Sequence, residues 1–211
     1  RHFPGQPILA EEGLGDLQEL AGEGEVLWVV DPLDGTVNYA HGLPVWGVSL
    51  ALAHGGRPVL AVSYDPVLDE MYWARRGEGA RCNGRRIRVS TTARLSQSLV
   101  ATGFAYRRAT LKENNLREFN AMMPRVQGVR RAGAAVLDLA HVAAGQLDAY
   151  WEMFLKPWDW AAGWLLVEEA GGTVTDLRGE PWALSKADIA ASNGALHAEL
   201  LAVVRQARNE A

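Results

Sequence analysis

An α/β or α+β architecture built in layers follows from two features of the chain. Short runs rich in β-branched and aromatic residues, joined by tight turns, fill the first half. Helical patterns then alternate with short strands in the second half.

The elements follow in order. GEVLWVVD (24–31) is an apolar run with the look of a strand buried on both faces. VWGVSLALAH (45–54) and RPVLAVSYDP (57–66) are strands whose Gly55-Gly56 junction signals a hairpin. EMYWARR (70–76) is a third antiparallel strand after the turn at Asp65-Pro66, and SLVATG (98–103) is a further strand. Residues 110–123 place Leu116, Phe119 and Met123 at helical spacing, and Pro124 ends that helix. GAAVLDLAHVAAG (133–145) is apolar nearly all round and reads as a buried helix. A strand over 147–153 precedes a helix over 159–172, with Asp159 as its expected N-cap and Gly171-Gly172 at its end. Strands over 173–177 and 188–193 lead to a closing helix over 194–207.

Composition narrows the function class. The 211 residues are 48% apolar and 22% charged, the balance of a soluble globular protein rather than a disordered or membrane-embedded one. A net charge of −4 gives no global pull toward nucleic acid or an anionic membrane. No apolar run approaches a membrane span, the single Cys82 cannot form an internal disulfide, and no Cys/His set has zinc spacing. An intracellular setting is the expectation. The arginines between Arg75 and Arg94 read as a solvated hairpin face. His141 reads as a core residue rather than a base.

VVDPLDGTVNY (29–39) raises a sharper question. Pro32 keeps Asp31 extended at its strand's end, so the carboxylate projects from the sheet edge where α/β folds bind ligands. Gly35 permits a sharp turn, and Thr36 opens a helical turn whose free N–H groups favour phosphate. Asp31 and Asp34 thus set hard oxygen ligands, suited to Mg²⁺, beside a phosphate cradle. An ordinary turn explains the same residues, since Asp, Pro and Gly all favour turns. Glu11 and Glu12 after the run Ile8–Ala10, and Asp159 among Trp158 and Trp160, add further acids; surface charge and helix capping are their plain alternatives.

ILAEEG, WVVDPLDGTVNYAHGLPVWGVSLAL, GVRRAGAAVLDLAHVAAGQLDAYWEMFLKPWDWAAG and EEAGGTVTDLRGEPW together resemble the inositol monophosphatase family of Mg²⁺-dependent, lithium-sensitive sugar phosphatases, in its bacterial form. The D-x-x-D-G-T and W-D-x-A-A-G segments, in this order, are a specific pair. The resemblance implies a layered α-β-α-β-α sandwich, with the family's opening helices absent ahead of Glu11. It implies a single domain over 1–211 with sub-lobes of about 1–125 and 126–211. By position, Glu11 and the Leu33 carbonyl would serve a first metal, Asp31 would bridge two, and Asp34 and Asp159 would hold the second. Gly35 and Thr36 would receive the phosphate, with Thr36 also holding the attacking water. Gly133, Ala134 and Ala135 would form a substrate-facing helix start, and Glu152 would bind sugar hydroxyls. Two Mg²⁺ ions are expected. The acid that in relatives assists a third, weaker one has no counterpart here.

The function so implied is hydrolysis of a phosphate monoester, inositol 1-phosphate first, by in-line attack of water activated by two metals, in a cytoplasmic homodimer. Fructose 1,6-bisphosphate, histidinol phosphate and 3′-phosphoadenosine compounds are the alternative substrates. A regulatory binding protein is the alternative of another class, with the Arg75–Arg94 stretch as its candidate surface. A haloacid dehalogenase-type phosphatase is disfavoured, because its D-x-D-G-T motif spaces the acids two apart and Asp31 and Asp34 are three apart.

Overall fold

The computed structural model describes residues 6–12 and 26–209, the last by its backbone alone. The first sheet has seven strands in sequence order: β1 (Ile8–Ala10), β2 (Val26–Asp34), β3 (Gly47–His54), β4 (Arg57–Asp65), β5 (Glu70–Arg75), β6 (Gly79–Cys82) and β7 (Arg85–Arg86). β1 pairs parallel to β2, and the remaining pairs are antiparallel. A short helix, α1 (Thr36–Ala40), links β2 to β3. The second sheet takes β8 (Leu99–Thr102), β9 (Gly128–Arg130), β10 (Ala149–Glu152), β11 (Thr173–Thr175) and β12 (Ile189–Ser192) in the order β11-β12-β10-β8-β9. Residues on both sides of position 125 therefore share this sheet.

Helices α2 (Leu116–Met122), α3 (Ala135–Ala143), α4 (Pro157–Glu169) and α5 (His197–Asn209), with 3-10 turns at Leu95–Gln97 and Met123–Arg125, complete the described elements. α3 touches β3 and β4 on one side and β10 and β12 on the other; α4 reaches from β2–β6 across to β11 and β12. The two helices thus form a layer between the sheets, and α2 and α5 pair beyond the second sheet. This is the mixed, layered α/β architecture expected. The close approach has a sequence cause. One cross-strand row of the first sheet runs Val29, Ala51, Ala61, Ala74, Ala80, and every member is buried. Small side chains there let α4 lie near the sheet and fill the gap with Trp160, Trp164 and Leu165. A β-carbon at Gly163 would fall 2.5 Å from Leu139, so glycine sets the spacing of α3 against α4. The opposite face of the sheet carries Trp28, Val30, Leu50, Leu52, Leu60, Val62 and Trp73, all only half-buried.

Several boundaries differ from expectation. The helix predicted over 110–123 begins at Leu116 because Asn115 is recruited by the core. Its amide donates to Thr102 Oγ1 and Gly103 O, its carbonyl accepts from Trp151 Nε1, and its backbone takes φ 68°. The closing helix begins at His197, because the Asn193 side chain accepts the Leu196 N–H in the preceding turn. The Gly55-Gly56 hairpin is as expected, with both residues at positive φ. β6, β7 and β9 were not anticipated; they have two to four residues each, too few for a periodic signal.

Candidate active site

The site begins with an irregularity in β2. Asp31 stands opposite Ser49, and the next registered pair is Asp34 opposite Gly47. Three steps on β2 meet two on β3, so one residue is extra and the strand bulges. In an unbroken strand, residues three apart face opposite sides of the sheet. The bulge at Pro32-Leu33 brings both carboxylates to one side, and Pro32 has no N–H to lose from the ladder. Gly35 then turns the chain at φ +84°, and a β-carbon there would sit 2.9 Å from the Val45 carbonyl oxygen. Asn38 ties this turn to the chain ahead of α3, donating to Val45 O at 2.7 Å and to Ala132 O at 2.9 Å.

Oxygens of Asp31, Asp34 and Asp159 all lie within 4.8 Å of one another, the one such acidic group among the described residues. Each carboxylate is pinned through one oxygen by a backbone N–H: Asp31 by Leu33 at 2.9 Å, Asp34 by Val136 at 2.7 Å, and Asp159 by Lys156 at 2.7 Å. The second oxygen of each has no protein donor and is available to a cation. The Asp159 contact corrects the expected N-cap. Lys156 occupies the cap and Pro157 takes the first helical position, so Asp159 falls at the third and reaches back to the cap N–H. Asp34 acts across 102 residues on the first turn of α3, where no local side chain caps the helix.

Electrostatics follows from this crowding. Burial pushes the Asp31 carboxyl up to about 6 against the pull of the Leu33 N–H, with Glu11 and Glu12 adding repulsion. Burial likewise lifts Asp159 to about 7, helped by Asp31 and Glu152. Burial, then Asp159, holds Asp34 well above its ordinary range. Three acids that resist ionising together are short of positive charge, and an all-oxygen donor set of this kind suits Mg²⁺. The residues present therefore fit the metal that the sequence implies.

Glu11, Asp31, Leu33, Asp34, Gly35, Thr36, Gly133, Ala134, Ala135, Glu152 and Asp159 all line a single cavity. The roles assigned to them stand as proposals. Glu11 lies on the wall outside the close carboxylate trio, and burial, then Glu12, raises its pKa. The Thr36 hydroxyl donates to the Leu33 carbonyl at 3.0 Å, so the group expected to hold water also steadies an expected ligand. Glu152 lines the same cavity, accepting from the Tyr150 hydroxyl. A β-carbon at Gly103 would land on the Glu152 carboxylate, so glycine there makes room for it. Burial pushes Glu152 up to about 7, opposed by Tyr150 and Arg131.

The same wall carries Phe104, Tyr106, Arg131 and Asp138, which sequence reasoning did not single out. Asp138 left a trace, as the lone acid in an apolar helix. Arg131 left none beyond its place just before the Gly133 turn.

Residues 1–209 match the inositol monophosphatase family. The Pseudomonas aeruginosa protein named Nus factor SuhB is 47% identical over 206 residues, covering 96% of this chain and 75% of its own. The inositol-1-monophosphatase of Synechocystis is 46% identical over 200 residues, covering 95% and 69%. Among solved structures, the inositol monophosphatase from Anabaena superposes with a TM-score of 0.91 at 47% identity, over 97% of this chain and 80% of that one. The bulged acid pair, the tethered third acid and these likenesses agree: this chain belongs to the inositol monophosphatase family.

Proposed function

We propose that this protein is a Mg²⁺-dependent phosphatase that hydrolyses inositol 1-phosphate to inositol and phosphate. The observation that carries the proposal is the trio Asp31, Asp34 and Asp159, whose oxygens converge within 4.8 Å beside the Gly35-Thr36 turn. Held there, one or two cations would neutralise phosphoryl charge and lower the pKa of a water. The chain's own residues do the rest. Backbone N–H tethers fix all three carboxylates before substrate arrives, so little reorganisation is needed during reaction. The first N–H groups of α1 have no helical partner and face the phosphate. The Gly35 turn holds them against the Val45-Trp46 backbone. Glu152, on the wall of the same cavity, would accept hydrogen bonds from ring hydroxyls. Homodimerisation and lithium inhibition belong to the same proposal. No helix among the described residues is long and apolar enough to cross a membrane.

The test is phosphate release in Mg²⁺ from inositol 1-phosphate, fructose 1,6-bisphosphate, histidinol phosphate and 3′-phosphoadenosine 5′-phosphate. Inositol 1-phosphate is expected to be fastest. A much faster fructose bisphosphate reaction would overturn the substrate.

A second reading rests on the relatives named Nus factor and on Arg75, Arg76, Arg85, Arg86, Arg88 and Arg94, which are exposed here. It makes the protein a binding partner in transcription. Asp31→Asn separates the two: a catalyst loses turnover, and a purely binding protein keeps its partner.

A further inference from the structure

Helix α3 is apolar apart from Asp138 and His141. Asp138 is 3% exposed, buried as deeply as the leucines around it. Its backbone N–H continues the helix to Ala134 O, but among the described residues no hydrogen-bond donor or salt bridge reaches its carboxyl group, and the Arg131 charge acts on it only at longer range. The other deep acids of the cavity differ. Glu152 has the Tyr150 hydroxyl, Asp34 has the Val136 N–H, and Asp159 has the Lys156 N–H. A buried carboxylate left unpartnered destabilises a fold, and native structures keep very few. Asp138 lines the cavity together with Arg131, Ala135 and Glu152.

We infer that Asp138 is a specificity-determining residue that, with Glu152, accepts hydrogen bonds from the hydroxyl groups of a polyol leaving group. This rests on the phosphatase reading of the site. Asp138 lies outside the carboxylate trio, and Glu152 is the charged neighbour that acts on it most, so its work is assigned to the alcohol rather than the phosphate. Glu152 lines the same cavity, and the exposed Arg131 guanidinium, lying over Gly133, acts on both carboxyl groups. Two carboxyl groups on the wall of one cavity offer several hydrogen-bonding oxygens, which selects a ligand that brings several hydroxyls. A leaving group with none leaves Asp138 without a donor and Glu152 with the Tyr150 hydroxyl alone, and discrimination built on buried polar groups is steep.

The test compares wild type, Asp138→Asn and Asp138→Leu, each in Mg²⁺, on myo-inositol 1-phosphate and on phenyl phosphate, whose leaving group brings no further hydroxyl. The ratio of kcat/KM for the inositol ester over the phenyl ester is expected to fall about ten- to hundredfold in both variants, the usual reach of a hydrogen bond to a charged group. The melting temperature of Asp138→Leu is expected to rise, because a buried carboxyl group with no hydrogen-bond donor has been exchanged for an apolar side chain. A ratio within twofold of wild type overturns the inference. So does a lowered melting temperature or a Leu variant that fails to fold, since either makes the carboxyl structural. A wild type that hydrolyses phenyl phosphate and ignores the inositol ester overturns it as well. A wild type inert toward both esters sinks the phosphatase reading instead. Asp138 is then judged by the thermal shift that myo-inositol 1-phosphate produces with Ca²⁺ in place of Mg²⁺. A shift reduced in Asp138→Asn upholds its role, and an equal shift overturns it.

Discussion

Replacing Gly35 by alanine tests whether the turn after the bulge positions the site. Gly35 holds φ +84°, and an added β-carbon meets the Val45 carbonyl oxygen at 2.9 Å and the Trp46 Cα at 3.2 Å. Both obstacles are backbone and cannot rotate away. The left-handed conformation costs an alanine roughly 1–2 kcal/mol. Overpacking against fixed atoms adds about 1–3 kcal/mol. A combined loss of about 3 kcal/mol lowers the melting temperature of a chain this size by roughly 6–12 °C. Gly55 is the internal control: it holds φ +56° in the β3–β4 hairpin with nothing within 4 Å of an added β-carbon. Gly55→Ala therefore bears the conformational cost alone, about 1 kcal/mol or roughly 2–4 °C. The activities diverge further. Relief of the Gly35 clash moves the start of α1 away from Asp34, and a displacement near 1 Å costs about a hundredfold in kcat/KM. The assay is thermal unfolding with steady-state phosphate release on both variants. Equal stability losses would refute the crowding argument, and wild-type turnover in Gly35→Ala would refute the role of the turn in catalysis.

Metal-free protein should respond to pH in an unusual direction. Asp31 and Asp159 rise on folding from an ordinary 3.8 to about 6 and about 7. The folded state binds those protons more tightly, so the stability they contribute is fully present below about pH 4 and is lost as pH rises to about 7. In EDTA the melting temperature at pH 5 should exceed that at pH 7.5, and saturating Mg²⁺ should close or reverse the gap; a metal-free protein that gains stability over this range contradicts the assignment. Asp31→Asn should abolish the thermal stabilisation by Mg²⁺, which for wild type at a hundred times the dissociation constant is about 2.7 kcal/mol; an undiminished shift would place the metal elsewhere. Asp148 accepts from the Ser90 hydroxyl and the Leu99 N–H, and Asn193 donates to Ser90 Oγ and Thr92 O. Asp148→Ala should cost about 2–4 kcal/mol by denaturant unfolding, because it strands those buried donors; a loss under 1 kcal/mol would show that they find other partners.

The parts of the site legible in the sequence are those whose chemistry is local. Asp31, Pro32, Asp34, Gly35 and Thr36 follow one another, and the bulge and turn that aim them are properties of that short run. Asp159 was visible as an acid at a helix start, but it lies three residues inside the cap rather than at it, because Lys156 is the cap and Pro157 claims the first helical residue. The tether from Asp34 to Val136 joins residues 102 apart, and nothing local announces it. Asp138 and Arg131 gain meaning only when α3 is set beside β10 and the cavity closes around them. In the fold, strands β2–β5 were legible from their apolar runs and turns, but β2 is not buried on both faces as expected: Trp28 and Val30 lie on the half-buried face of the first sheet. The start of α2 was not, because the demand on Asn115 comes from Thr102 and Trp151 in the second sheet.

The most direct measurement is phosphate release from myo-inositol 1-phosphate by protein stripped with EDTA, followed as Mg²⁺ is titrated back. The carboxylate trio predicts no turnover without metal and a saturable recovery with it. Undiminished hydrolysis in EDTA, or no hydrolysis at any Mg²⁺ concentration, would contradict a metal-dependent phosphatase at this site.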